Sequence, residues 1–177
     1  MTFIIQRAAD RVAVPWRNGF GVQYEISADG PLPDGWSWRL STADLQHNVP
    51  FSIFGGVNRQ FCVATGEGVV LTIDGISYHC GPGSITPFDG GFPVHAAIIN
   101  GPTCALNLMV KHGSPTKHLA VHVVGESIEG VEALVAIDDR ASLKVDEIIV
   151  ELDVLDALLN VGPGTICIQH GTVVAMY

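Results

Sequence analysis

"RQFCVATGEGVVLTIDGISYHC", residues 59–80, is the stretch that decides the fold. Three runs rich in Val, Ile, Thr and aromatic residues are separated by Gly66-Glu67-Gly68 and by Asp74-Gly75. Asp-Gly suits the left-handed positions of a tight hairpin turn, and the glycines around Glu67 offer the same freedom. The reading is strand, turn, strand, turn, strand, an antiparallel meander. The same pattern continues on both sides. "VQYEISA" (22–28), "WSWRLSTADL" (36–45), "GSITPF" (83–88), "VHAAIING" (94–101), "CALNLMV" (104–110), "HLAVHVV" (118–124) and "GTICIQHGTVVAMY" (164–177) are apolar runs bounded by turn residues. Helix competes at "SIEGVEALV" (127–135) and over Glu151 to Leu159, whereas the β-branched "DEIIVEL" (146–152) reads as strand. The expected fold class is all-β with little helix.

The chain of 177 residues suits one domain or two small ones. "GSPTK" (113–117) looks like a joint, giving a first barrel over 1–117 and a smaller second one over 118–177. The second is too short to bury a core alone, so it is expected to pack on the first or borrow strands from it. Residues before 118 hold seven Lys/Arg against eight Asp/Glu, and those after hold two against ten. Neither part carries the basic field that nucleic acid or an anionic membrane requires, so neither partner is expected. No apolar run approaches the ~18 residues of a spanning helix, and "MTFIIQRAADRV" turns polar at Gln6, unlike a signal peptide. A cytoplasmic location is expected. Cys62, Cys80, Cys104 and Cys167 form no C-x-x-C pair and read as reduced core residues.

Strand alternation decides which side chains can meet. Gln23, Glu25 and Ser27 share one face of their strand, and Arg39 and Ser41 share one face of the next, opposite Trp36, Trp38 and Leu40. A single charge facing outward would be ordinary. A Glu strand followed by an Arg strand, both after aromatic clusters, suggests instead polar faces lining one cavity. Arg59 enters the next strand after "GGVN", and Asn107 interrupts "ALNLMV", where it either faces water at an edge or needs buried partners.

"PWRNGFGVQYEI", "WSWRLSTADL", "PFSIFGGVNRQF", "GEGVVLTIDG" and "LNLMV", in that order, resemble the HutD/Ves family of bacterial proteins. The resemblance covers most of residues 3–113; residues 118–177 match only in general terms. It implies a bicupin fold of two antiparallel β-barrels or sandwiches. It also implies a link to histidine utilisation, with a small acid such as a formylated amino acid as ligand. The chain departs from the commonest family pattern at Phe20, where a further Gly is frequent, and at Gln23, where a small hydroxyl residue is frequent.

With that fold, Gly19 and Gly21 would let the backbone turn tightly or approach a ligand, Trp16 would close the barrel mouth, and Glu25 would face Arg39 or Arg59. Arginine suits a carboxylate because its planar fork donates two parallel hydrogen bonds. The expected ligand site is Trp16, Asn18, Gly19, Glu25, Arg39, Ser41, Arg59, Asp89 and Asn107, with Asp89 at the mouth. No histidine pair has the H-x-H spacing of metal-holding cupins, so neither a metal nor another cofactor is expected. The leading function is binding of a small carboxylate without catalysis. The enzyme alternatives are a metal-free isomerase with Glu25 as base and an oxygenase with metal-binding histidines. A third reading makes Trp16 or the acidic end a docking surface, and homodimerisation stays open.

Overall fold

The computed structural model describes residues 3–177. Apart from one 3-10 turn at Ala8–Asp10, all its regular elements are strands, and every strand pairing is antiparallel. Neither segment in which helix competes is helical. Residues 127–135 hold strand Ser127–Ile128 and the start of Ala133–Val145, while 151–159 hold the end of Ile148–Leu152 and then Ala157–Leu159. Tertiary pairing overrides helix propensity here: Ala133–Val145 lies between three partners and buries Leu134, Ala136 and Leu143.

The chain divides into two compact units. One is Val12–Lys117; the other joins the residues up to Arg11 with His118–Tyr177. Residues 3–11 thus go with the second unit, whereas the first barrel expected from sequence spans 1–117. The cause is Ile4–Gln6, which adds to that unit's sheet by pairing with Ala157–Leu159. Arg7 then bonds Asp156, whose side chain is 4% exposed, at 2.6 Å.

The Val12–Lys117 unit has a six-stranded sheet in the order Ala13–Pro15, Val22–Ala28, Trp38–Leu45, Thr103–Lys111, Val57–Thr65, Ile85–Asp89. A four-stranded sheet runs Val49–Pro50, Val94–Ile98, Val69–Ile73, Ile76–Cys80. The Asp74-Gly75 hairpin forms as expected, with φ of 46° and 82°. The Gly66-Glu67-Gly68 turn does not make a hairpin: Val57–Thr65 belongs to the six-stranded sheet and Val69–Ile73 to the other. These glycines carry the chain across, with φ of 88° and 108°, and a Cβ on Gly68 would lie 2.1 Å from the Cys80 carbonyl. The two sheets close on a core that includes Leu45, Phe61, Val63, Leu71, Val94 and Ala96.

Candidate functional site

The six-stranded sheet brings the polar residues together through its register. Glu25 stands opposite Ser41, Ser41 opposite Asn107, and Asn107 opposite Phe61. Two residues along, Arg39 stands opposite Met109, and Met109 opposite Arg59. Side chains at these positions project from one face, and Gln23, Arg39, Asn107, Met109 and Arg59 line a cavity of about 150 Å³. That is below the roughly 300–1,000 Å³ of pockets for drug-sized ligands and suits a metabolite.

Two guanidiniums dominate this cavity. Arg59 is 6% exposed, donates from Nη2 to Asn107 Oδ1 at 2.9 Å and from Nη1 to the Ser52 carbonyl at 3.4 Å, and keeps its buried Nε unbonded. The rings of Phe51 and Phe88 lie 5.1 and 5.0 Å from its guanidinium carbon. Burial, and then the charge of Arg39, push the Arg59 pKa down to about 9, which leaves it a cation at neutral pH. Arg39 is 5% exposed, donates from Nη2 to Gln23 Oε1 at 2.6 Å, lies 5.5 Å from the Trp36 ring and also has an unbonded, buried Nε. Burial lowers its pKa, against the attraction of Glu25. Neither arginine forms an ion pair among the described residues.

Glu25 points inward but is not a lining residue. Both carboxyl oxygens are buried without a hydrogen-bond partner. Burial raises its pKa to about 7, and the Arg39 charge only partly offsets this.

The opening loop is built for shape. The Trp16 backbone N–H donates to the Gly21 carbonyl at 2.9 Å, and Gly19 adopts a φ of 73° at the turn. Gly21 carries the Trp16 indole: a Cβ there would lie 2.9 Å from the ring. Trp16 lines the cavity and meets Phe51 edge-on, with centroids 5.8 Å apart.

Besides Glu25, four expected site residues do not line the cavity. Asn18 donates from Nδ2 to the Pro50 carbonyl at 3.0 Å and accepts from the Phe20 N–H at 3.1 Å, so its amide clamps the turn. Gly19 is exposed, and its conformation serves that turn. Asp89 pairs with Asn58, whose side chain alternates with that of Arg59, and accepts from the Gly91 N–H at 2.7 Å, away from the cavity. Ser41 is 2% exposed between Glu25 and Asn107 and lies behind the lining residues. The alternation expected for Trp36, Trp38 and Leu40 also breaks. The strand starts at Trp38, and Trp36 sits with Arg39.

Sequence reasoning missed Arg17, Gln23, Ser52 and Phe54 as lining residues. Arg17 lies 4.7 Å from the Phe54 ring and bonds Asp34. All four sit inside or beside the motifs "PWRNGFGVQYEI" and "PFSIFGG", and Gln23 shares the alternation face of Glu25. Among the described residues no three His, Cys, Asp or Glu side chains gather as a metal site would require.

Comparison with known proteins fits this architecture. The HutD family model matches residues 8–175. A stretch of 70 residues is 44% identical to an uncharacterized 21.2 kDa protein in the hutC 3′ region of Pseudomonas putida, covering 39% of this chain and 37% of that one. Another of 56 residues is 39% identical to protein Ves of Citrobacter koseri, covering 32% and 29%. The chain therefore matches well under half the length of these curated relatives. Similarity to solved structures spans the whole chain. A conserved protein of unknown function from Pseudomonas aeruginosa PAO1 superposes with a TM-score of 0.85 at 27% identity, and HutD from Pseudomonas fluorescens SBW25 with 0.81 at 29%, each pair covered to 99% and 98%. A cupin 2 conserved barrel domain protein from Leptotrichia buccalis, at 9% identity and a TM-score of 0.59 over 93% and 91% of the chains, shares the fold alone.

Proposed function

The chain belongs to the HutD family, and from that premise we propose that its Val12–Lys117 unit captures a small carboxylate without transforming it. One observation carries this reading: Arg39 and Arg59 are buried at a cavity and form no ion pair among the described residues, with Glu25, which burial keeps partly protonated, and Asp34 acting on Arg39 only through space. Buried cations that lack a counter-charge are costly, and a bound anion would supply one. The fork of each guanidinium suits a carboxylate, and Trp16, Phe51 and Phe54 give the same cavity apolar walls. The relatives' names tie them to the hut genes. On that basis the ligand is a small acid of histidine degradation, of the formylated or formimino glutamate type, sensed or sequestered in the cytoplasm. No nucleic-acid partner is part of this reading. A homodimer is open to light scattering, and among the described residues no helix is long and apolar enough to cross a membrane.

A thermal-shift screen with amino-acid-derived acids tests the reading. A ligand of the native state at 100 times its Kd adds about 2.7 kcal/mol of stability and raises Tm. Failure of every small acid to raise Tm would contradict it.

The raised Glu25 pKa favours a second reading, a metal-free isomerase with Glu25 as general base. Against it stands geometry: both Glu25 oxygens are sealed from solvent and the residue does not line the cavity. Turnover of a screened acid, followed by NMR, would establish catalysis and displace the binding reading.

A further inference from the structure

The two amides that meet the arginines have fixed orientations. A guanidinium has donors and no acceptor, so the amide atom facing it must be oxygen. Gln23 Oε1 therefore accepts from Arg39, and Asn107 Oδ1 accepts from Arg59. What remains of each amide is its NH2 group, which has no partner among the described residues. Both side chains line the cavity.

The acceptors nearby are engaged or withdrawn. The Ser52 carbonyl takes Arg59 Nη1, and the Pro33 carbonyl takes Trp36 Nε1 at 2.7 Å. Asp34 bonds Arg17 and is not a lining residue, and neither is Glu25. Besides the Ser52 hydroxyl, which accepts from the Asn18 N–H at 3.2 Å and still has a proton to give, the side-chain acceptors on the wall are the Gln23 and Asn107 amide oxygens, each already held by a guanidinium, so the groups left without a partner there are donors.

The geometry points to a selection rule: with the Gln23 and Asn107 NH2 groups beside two guanidiniums, the cavity takes a small acid whose second polar group is an acceptor such as a carbonyl. It rejects the same skeleton bearing an ammonium. The inference rests on the carboxylate-binding reading and narrows it. An ammonium would enter as a third cation facing donors, stripped of water and unbonded. A carbonyl oxygen in its place accepts from the amide NH2 groups. The rule also separates the two glutamate derivatives, since a formyl group is neutral and offers a carbonyl oxygen, whereas a formimino group is a cationic amidine.

Calorimetric titration with 2-oxoglutarate, N-formyl-L-glutamate and L-glutamate at pH 7.5 decides the matter. 2-Oxoglutarate and L-glutamate share a carbon skeleton and both carboxylates, and differ at C2 by a carbonyl oxygen against an ammonium. We expect at least one acceptor-bearing acid to bind roughly tenfold or more tighter than L-glutamate. In Gln23→Glu, a near-isosteric change that gives the wall a carboxylate acceptor, that ratio narrows or reverses. If L-glutamate binds as well as the other acids, the rule is overturned while the carboxylate reading stands. Failure of all three to bind overturns the rule, and the wider acid screen decides the carboxylate reading. A folded Gln23→Glu protein with an unchanged ratio removes Gln23 from the rule, and the wild-type comparison decides the rest even if that variant does not fold.

Discussion

Arg39 and Arg59 raise the same question at the level of single residues: why a stable barrel keeps two guanidiniums where methionine or leucine would pack. Their desolvation is costly, and the amides of Gln23 and Asn107 offset part of it without supplying charge. Glu25, more than Asp34, attracts Arg39, and burial keeps much of the Glu25 carboxyl protonated near neutrality. Its pKa of about 7 lies above the ordinary 4.5, so the folded state holds a proton that the unfolded state has released. Stability linked to Glu25 therefore falls as pH rises from about 4.5 through 7, then levels off. Glu25→Gln removes this dependence. Denaturant melts should show the variant gaining on the order of 3 kcal/mol over wild type near pH 8 and no more than about 1 kcal/mol near pH 5. An anion beside Arg39 adds negative charge near Glu25 and raises its pKa further. Binding should therefore take up protons and weaken as pH rises past 7, and calorimetry in buffers of different ionisation enthalpy reads that uptake. Among these residues, Arg39, Arg59 and Asn107 were legible in the sequence, because charge or amide in an apolar strand is conspicuous. Gln23 and Arg17 were not: a glutamine on a strand and an arginine in a loop look like solvated surface until the register is known.

At the scale of elements, strand spacing was readable, and the sheet to which each strand belongs was not. Alternation and turn residues locate Val22–Ala28, Thr103–Lys111 and Ile166–Met176 almost to the residue. They cannot tell a hairpin from a crossing between sheets, because Gly66 and Gly68 supply positive φ for either. The strand Ala133–Val145 stayed hidden for a related reason: "EALVAIDDRASLKV" mixes helix formers with its apolar residues, and only pairing on both edges makes it a strand. The loop before Val22–Ala28 shows two glycines needed for different reasons. Gly19→Ala strains a left-handed backbone and should cost about 1 kcal/mol with little effect on the cavity. Gly21→Ala drives a methyl into the Trp16 indole, and should cost about 1–3 kcal/mol while shifting tryptophan fluorescence and weakening ligand binding.

The whole molecule carries its polarity unevenly, and the candidate chemistry lies in the Val12–Lys117 unit. The other unit is completed by the chain's first strand, an arrangement that sequence could suggest only as a need for borrowed strands. Asp156 fixes it by accepting from the Ala8 N–H at 2.7 Å, from Arg7 at 2.6 Å and from the Asp153 N–H at 3.0 Å. Asp156→Asn should cost about 1–3 kcal/mol in that unit, and hydrogen exchange should show the loss around Ala157–Leu159 with the cavity strands unaffected. Ligand binding should survive the change, since Asp156 belongs to the other unit. Arg39 is the converse case, in which stability and binding move in opposite directions. The most direct test is calorimetric titration of the best-binding small acid into wild type and Arg39→Met, with a melting curve for each. We expect the variant to melt at the same or higher temperature and to bind at least roughly a hundredfold more weakly. Equal affinity in the two proteins, or a variant that loses its fold while wild type binds no acid, would contradict the claim that these buried cations exist to meet an anion.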